Sequence, residues 1–116
     1  MIVCVIDDLI FSIKISTAAK ALGAEVFFER APDLVLSRIR EKRPSLVIFD
    51  LNSGRLNPIG VIAAMKSDAD LQGIRTLGYV AHVDAATIKA ARDAGVDQVR
   101  ARSAFASSLG EILTAG

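Results

Sequence analysis

The sequence holds no tryptophan, one cysteine, one histidine and three prolines, and aromatic residues make up only 5% of it. Cys4 has no second thiol to pair with, which excludes an intrachain disulfide and a cysteine-rich metal site; set in an apolar run, it reads as a small buried hydrophobe. No apolar run approaches the roughly 20 residues needed to cross a bilayer, and no basic leader with a cleavage site opens the chain. No membrane partner is therefore expected, and the expected location is the cytoplasm. An excess of one charge is also missing. Lys and Arg number 14 against 13 Asp and Glu, a formal net charge of +1, which gives no overall pull toward nucleic acid or an acidic membrane. The basic run Arg38, Arg40, Lys42 and Arg43 lacks interleaved aromatics and reads as the solvated end of a helix, where positive charge suits the dipole. There is no internal repeat, low-complexity tract or linker. What is present is a chain of 116 residues, 52% apolar and 23% charged, which predicts one globular domain over residues 1–116 with a substantial core.

Two unbroken apolar runs end in carboxylates. Ile2-Val3-Cys4-Val5-Ile6 leads into Asp7-Asp8, and Leu46-Val47-Ile48-Phe49 leads into Asp50. Short continuous runs rich in Val and Ile mark strands buried on both faces of a parallel sheet. Parallel strands point one way, so residues just past their ends gather along one edge, where ligands bind. Asp7, Asp8 and Asp50 are expected to meet there. Neighbouring carboxylates raise one another's pKa unless a cation joins them, and a hard, oxygen-liganded ion such as Mg²⁺ is the natural partner.

The rest of the chain alternates. A helix with Phe11, Ile15, Ala18 and Leu22 inward, and with Ser12, Ser16 and Lys20 outward, stops at Gly23; Ile13 stands exposed on it. Glu25 to Glu29 reads as a more amphipathic strand near a sheet edge. Pro32 opens a helix that buries Val35, Leu36 and Ile39 and ends before Pro44. Residues 51–57 form a loop, and Pro58 opens a helix with Val61, Ile62, Met65 and Ala69 inward. The fourth strand is expected over Thr76 to Ala81. Asp84 caps an alanine-rich fourth helix, loosely held, that runs to Gly95. Gln98 to Ala101 is the fifth strand, and a last helix, capped by Ser103, buries Phe105, Leu109 and Ile112. Five strands alternating with five helices predict a flavodoxin-like (βα)₅ three-layer α/β/α sandwich with a parallel sheet ordered 2-1-3-4-5, whose switch point lies beside strands one and three. Those two strands carry the aspartates.

With its acidic pair Asp7-Asp8, the single Asp50, Asn52 two residues on and Gly95-Val96-Asp97 before strand five, the sequence resembles the receiver (response-regulator) domains of two-component signalling over nearly its whole length. The resemblance implies phosphoryl transfer from a histidine kinase or phosphotransfer protein to Asp50. Mg²⁺ would be held by Asp7, Asp8, Asp50 and the backbone carbonyl of Asn52. It also implies a phosphoacceptor rather than an enzyme, a downstream protein partner on the face of helix four, strand five and helix five, where Arg92, Arg100 and Arg102 stand, and a homodimer through that face.

The other landmarks of such domains are altered. Val80 stands where a hydroxyl residue ends strand four, Val99 where an aromatic switch residue is usual, Ser53-Gly54 for Met-Pro, and Arg102-Ser103 for Lys-Pro. Valine cannot bond a phosphoryl oxygen, and a guanidinium fork is not an ammonium point charge. Two readings follow. Either Asp50 accepts a phosphoryl group that Arg102 neutralises, or the domain is a phosphorylation-independent interaction module in which Arg102 pairs with Asp50. A flavin or small-ligand enzyme is disfavoured, because the loop Asp7 to Ser12 lacks glycine and carries two negative charges where a ligand phosphate would sit. His82 could relay a proton, but no matching nucleophile and base accompany it. The expected chain carries no output domain.

Overall fold

The computed structural model describes residues 1–81 and 84–115. Strand β1 (Ile2–Val5) leads to helix α1 (Leu9–Leu22), then β2 (Val26–Phe28), a 3-10 turn (Pro32–Leu34) and α2 (Val35–Lys42). Strand β3 (Leu46–Asp50) follows, with a second 3-10 turn (Gly54–Leu56), α3 (Pro58–Lys66), β4 (Arg75–Val80), α4 (Ala85–Ala94), β5 (Gln98–Ala101), α5 (Arg102–Ser107) and α6 (Leu109–Ala115). All strand pairs are parallel, and the sheet order is β2-β1-β3-β4-β5. The flavodoxin-like expectation is met.

The period-2 alternation of strand side chains divides the apolar runs between two cores. Val3, Val5, Val47 and Phe49 pack with Val35 and Ile39 of α2 and Val61, Ile62 and Met65 of α3. Ile2, Cys4, Ile6, Leu46 and Ile48 face the other way, onto Phe11 and Ile15 of α1, Phe105 of α5 and Ile112 of α6. Helices on both faces leave strands β1 and β3 almost without exposed surface, which is why they read as unbroken runs. Edge strand β2 is half-buried throughout.

Several local expectations need correction. In α1 the row at i, i+4, i+8 (Phe11, Ile15, Ala19) meets the sheet, and Ser12 is buried beside it, while Leu22 is exposed. Ser12 tolerates burial because its hydroxyl donates to the Asp8 carbonyl at 2.8 Å. Helix α3 ends at Lys66, so Ala69 lies outside it and is exposed; Leu71 fills the buried position instead. The last helix is two, parted at Ser108, where Ser107, Ser108 and Gly110 supply weak helix formers. It begins at Arg102, with Ala101 rather than Ser103 at the N-cap and no side-chain capping bond. Gly23 and Gly95 close α1 and α4 with φ of 68° and 104°, and Asp84 caps α4 by accepting from Ala86 and Thr87 N–H. Helix α4 fully buries only Ala91.

Candidate functional site

Asp7 and Asp8 stand just past the end of β1, and Asp50 is the last residue of β3. Asp8 is fixed first. As the N-cap of α1 it accepts the Phe11 N–H through Oδ1 at 3.0 Å, which meets one of the helix's unsatisfied donors. Its other oxygen accepts from Arg102 Nη2 at 2.7 Å. Arg102 opens α5, where a positive charge opposes the helix dipole; Asp8 offsets this, and the guanidinium carbon lies 4.6 Å from the centroid of the Phe11 ring.

Asp7 has a different partner. Arg55 grips its carboxylate with two bonds, Nε to Oδ2 at 2.9 Å and Nη2 to Oδ1 at 2.7 Å. Those hydrogen bonds lower the Asp7 pKa, with the charges of Arg55 and Arg30 acting in the same direction. Arg55 comes from the second 3-10 turn, which is pinned by buried Leu56 and closed by Asn57 in the left-handed region at φ 49°.

Asp50 has no such cation on it. Half-buried at the end of β3, it accepts the Asn52 N–H through Oδ1 at 3.0 Å; among the described residues it is in no salt bridge. Burial raises its pKa, as do the charges of Asp8 and Asp7, against the Asn52 N–H bond and the Arg102 charge. The structure thus brings Asp7, Asp8, Asp50 and Arg102 within electrostatic reach of one another. Arg102 bonds Asp8, however, rather than Asp50. Asn52 completes the floor, its side-chain Oδ1 accepting the Ala81 N–H at 2.6 Å and tying the turn after β3 to the end of β4.

Beside Asp50 in register lies Tyr79, a strand neighbour facing the α1 and α5 layer. Its ring sits 5.0 Å from both Phe11 and Phe105, stacked on the latter. Among the described residues its buried hydroxyl has no hydrogen-bond partner, and burial, followed by the Asp50 charge, pushes its pKa upward. Val80 points into the opposite core and Val99 packs at the margin of that core. A groove of about 550 Å³ opens next to the acids, lined by Phe11, Lys14, Val80, Ala81, Arg102 and Ser103 among others. Ile10, 80% exposed, also lines it, and Leu9 and Ile13 of the same helix are exposed at 64% and 59%.

No family model matches this chain and no curated protein matches it. Solved structures do. A response regulator from Hahella chejuensis superposes with a TM-score of 0.85 at 17% identity, over 97% of this chain and 91% of that one. The phosphorylated cyanobacterial phytochrome response regulator RcpA gives 0.82 at 24% identity over 98% and 88%. The Mn²⁺-bound form of response regulator Rcp1 gives 0.80 at 16% identity over 96% and 89%. This chain has the fold of a response-regulator receiver domain.

Within the receiver fold, Gly95-Val96-Asp97 lies at the opposite edge of the sheet. Asp97 accepts from the Thr76 N–H and hydroxyl and from Lys66 Nζ at 2.8–3.0 Å, pinning the entry to β4. The His82 reading falls outside the described residues. Sequence reasoning missed Arg55, whose partners lie 48 and 25 residues away, and Tyr79. A period-2 reading of β4 could have placed Tyr79 on the face of Asp50, but nothing local marks Arg55. Among the described residues no helix is long and apolar enough to cross a membrane.

Whether the site suits a divalent cation turns on its donors. Three carboxylates and a carbonyl are hard oxygen ligands, the set that Mg²⁺ or Mn²⁺ takes. In this arrangement the Asp7 and Asp8 carboxylates are taken up by guanidinium groups, and no three acids among the described residues converge on one point.

Proposed function

We propose that this chain is a receiver domain of two-component signalling, that it works in the cytoplasm, and that Asp50 is its phosphoacceptor. One observation carries the choice of Asp50: Asp7 and Asp8 are engaged by arginines, whereas Asp50 is half-buried at the strand-order switch and, among the described residues, has only a backbone N–H on one oxygen. The Asp50 carboxylate attacks the phosphorus of a phosphohistidine on a kinase or phosphotransfer protein. The new O–P bond forms as the P–N bond breaks; the electron pair stays on the ring nitrogen, which takes a proton from solvent as the imidazole leaves. Such transfers depend on positioning and charge stabilisation. Arg102, at the mouth of the groove, offsets charge on Asp8 and stands ready for the transferred group. Asp7, Asp8, Asp50 and the Asn52 carbonyl would hold Mg²⁺, which when bound neutralises the transferring phosphoryl group. The downstream partner, or a second copy of the chain, docks on the face of α4, β5 and α5.

A second reading, a phosphorylation-independent interaction module, is favoured by one observation: Val80 is buried in the core where a phosphoryl-binding hydroxyl would be needed. Incubation with acetyl phosphate and Mg²⁺, followed by intact-mass analysis, separates the two. A single labile phosphoryl adduct, absent from Asp50→Asn, supports the acceptor; no adduct on folded protein, with acetyl phosphate or a phosphorylated kinase domain, supports the module.

A further inference from the structure

The environment of Arg55 points to a role in cation occupancy. Its guanidinium makes three hydrogen bonds from two directions: two to the Asp7 carboxylate, and one from Nη2 to the Arg30 carbonyl at 2.8 Å. A lone exposed ion pair is commonly weak, because two long side chains must be held in one geometry. Here the backbone carbonyl between β2 and α2 holds the fork on the side away from the acid, and the 3-10 turn is fixed at its base by Leu56, 1% exposed. Bidentate pairing of this kind has both its strength and its geometry set in advance. Both Asp7 oxygens accept from Arg55, so a cation approaching either one meets the guanidinium charge and a lone pair already taken.

We propose that Arg55 and a divalent cation compete for Asp7, so that the acidic pocket exists either closed by arginine or loaded with metal. The proposal rests on the reading of Asp7, Asp8 and Asp50 as a cation site, and concerns what governs its occupancy. In the closed form two guanidinium groups perform the charge compensation that a metal performs in the loaded one. Arg102 does not compete in the same way: among the described residues it bonds only Asp8 Oδ2, and Asp8 is also held as the cap of α1. Arg55 is therefore the side chain whose departure frees a complete carboxylate.

The test is direct Mn²⁺ binding, read by electron paramagnetic resonance of the free ion and by calorimetry, without any phosphoryl donor. Arg55→Gln should bind Mn²⁺ about fivefold or more tightly than the unaltered chain, since the bidentate partner is gone. Adding Asp7→Asn to that variant should abolish the gain. Arg30→Ala is the control. It removes a positive charge that acts on Asp7 through space but keeps the backbone carbonyl, so it should tighten binding much less than Arg55→Gln. Equal gains from the two variants would reduce the effect to long-range charge and overturn the competition, as would unchanged or absent Mn²⁺ binding in folded Arg55→Gln. Failure of phosphoryl uptake with competition intact would overturn the receiver function alone.

Discussion

Arg102 and Asp8, 94 residues apart in sequence, meet at 2.7 Å, and the same carboxylate caps α1 through its other oxygen. Asp8 thus fastens the last third of the chain to the first helix. Replacing it separates the two duties. Asn retains N-cap strength and Ala does not, so Asp8→Ala should be less stable than Asp8→Asn by about 1 kcal/mol. Urea unfolding of the two variants measures the difference.

The acids should respond to pH with opposite signs. Asp50 has a raised pKa in the folded chain, so it favours folding below the ordinary aspartate value of about 3.9, and that contribution is lost as pH rises through the raised value. Asp7 has a lowered one, so its contribution is present above the ordinary value and is lost as pH falls through the depressed one. At pH 7, Asp50→Asn should therefore raise the melting temperature and Asp7→Asn should lower it. Both differences should shrink in melts repeated below about pH 4, where the ordinary aspartate begins to protonate.

The Tyr79 hydroxyl is buried with no partner among the described residues, and such a group carries an uncompensated desolvation cost. Tyr79→Phe keeps the stacked ring and removes that cost, so the variant should be more stable by about 1 kcal/mol, read by urea unfolding. If its phosphoryl uptake also falls, the hydroxyl serves the site as well.

Gly78 couples the core to the acidic turn. A Cβ there would lie 2.6 Å from the side chain of Leu51, the residue between Asp50 and Asn52, itself buried. Gly78→Ala must push Leu51 aside, at a cost of about 1–3 kcal/mol. It should also slow phosphorylation of Asp50, because the Asn52 bonds to Asp50 and Ala81 move with the turn. Stability and the rate of adduct formation, measured together, check this.

The sheet was legible because β1 and β3 are buried on both faces, so their runs are unbroken and the polar residues that end them are conspicuous. Parallel geometry then brought Asp7, Asp8 and Asp50 to one edge without any contact being known. The partners of those acids were not legible. Arg55 sits in a turn whose composition marks only a loop, and its value depends on the β2 to α2 connection passing close by. Ser12 looked like a surface residue because its hydroxyl is satisfied by the Asp8 carbonyl, a local bond that leaves no periodic trace. The start of the last helix was misplaced by two residues, with Ala101 at the N-cap, because Arg102 is drawn into the first turn by Asp8 and Phe11, whereas capping preference alone favours Ser103.

The most direct test of Asp50 as the acceptor is chemical mapping of the phosphorylated residue. The chain is treated with acetyl phosphate and Mg²⁺, the acyl phosphate is reduced with borohydride, and peptides are sequenced by mass spectrometry. The account predicts reduction of the side chain to homoserine at position 50 alone. Reduction at position 7 or 8, or an acid-labile phosphoryl group on His82 with position 50 unchanged, would contradict it.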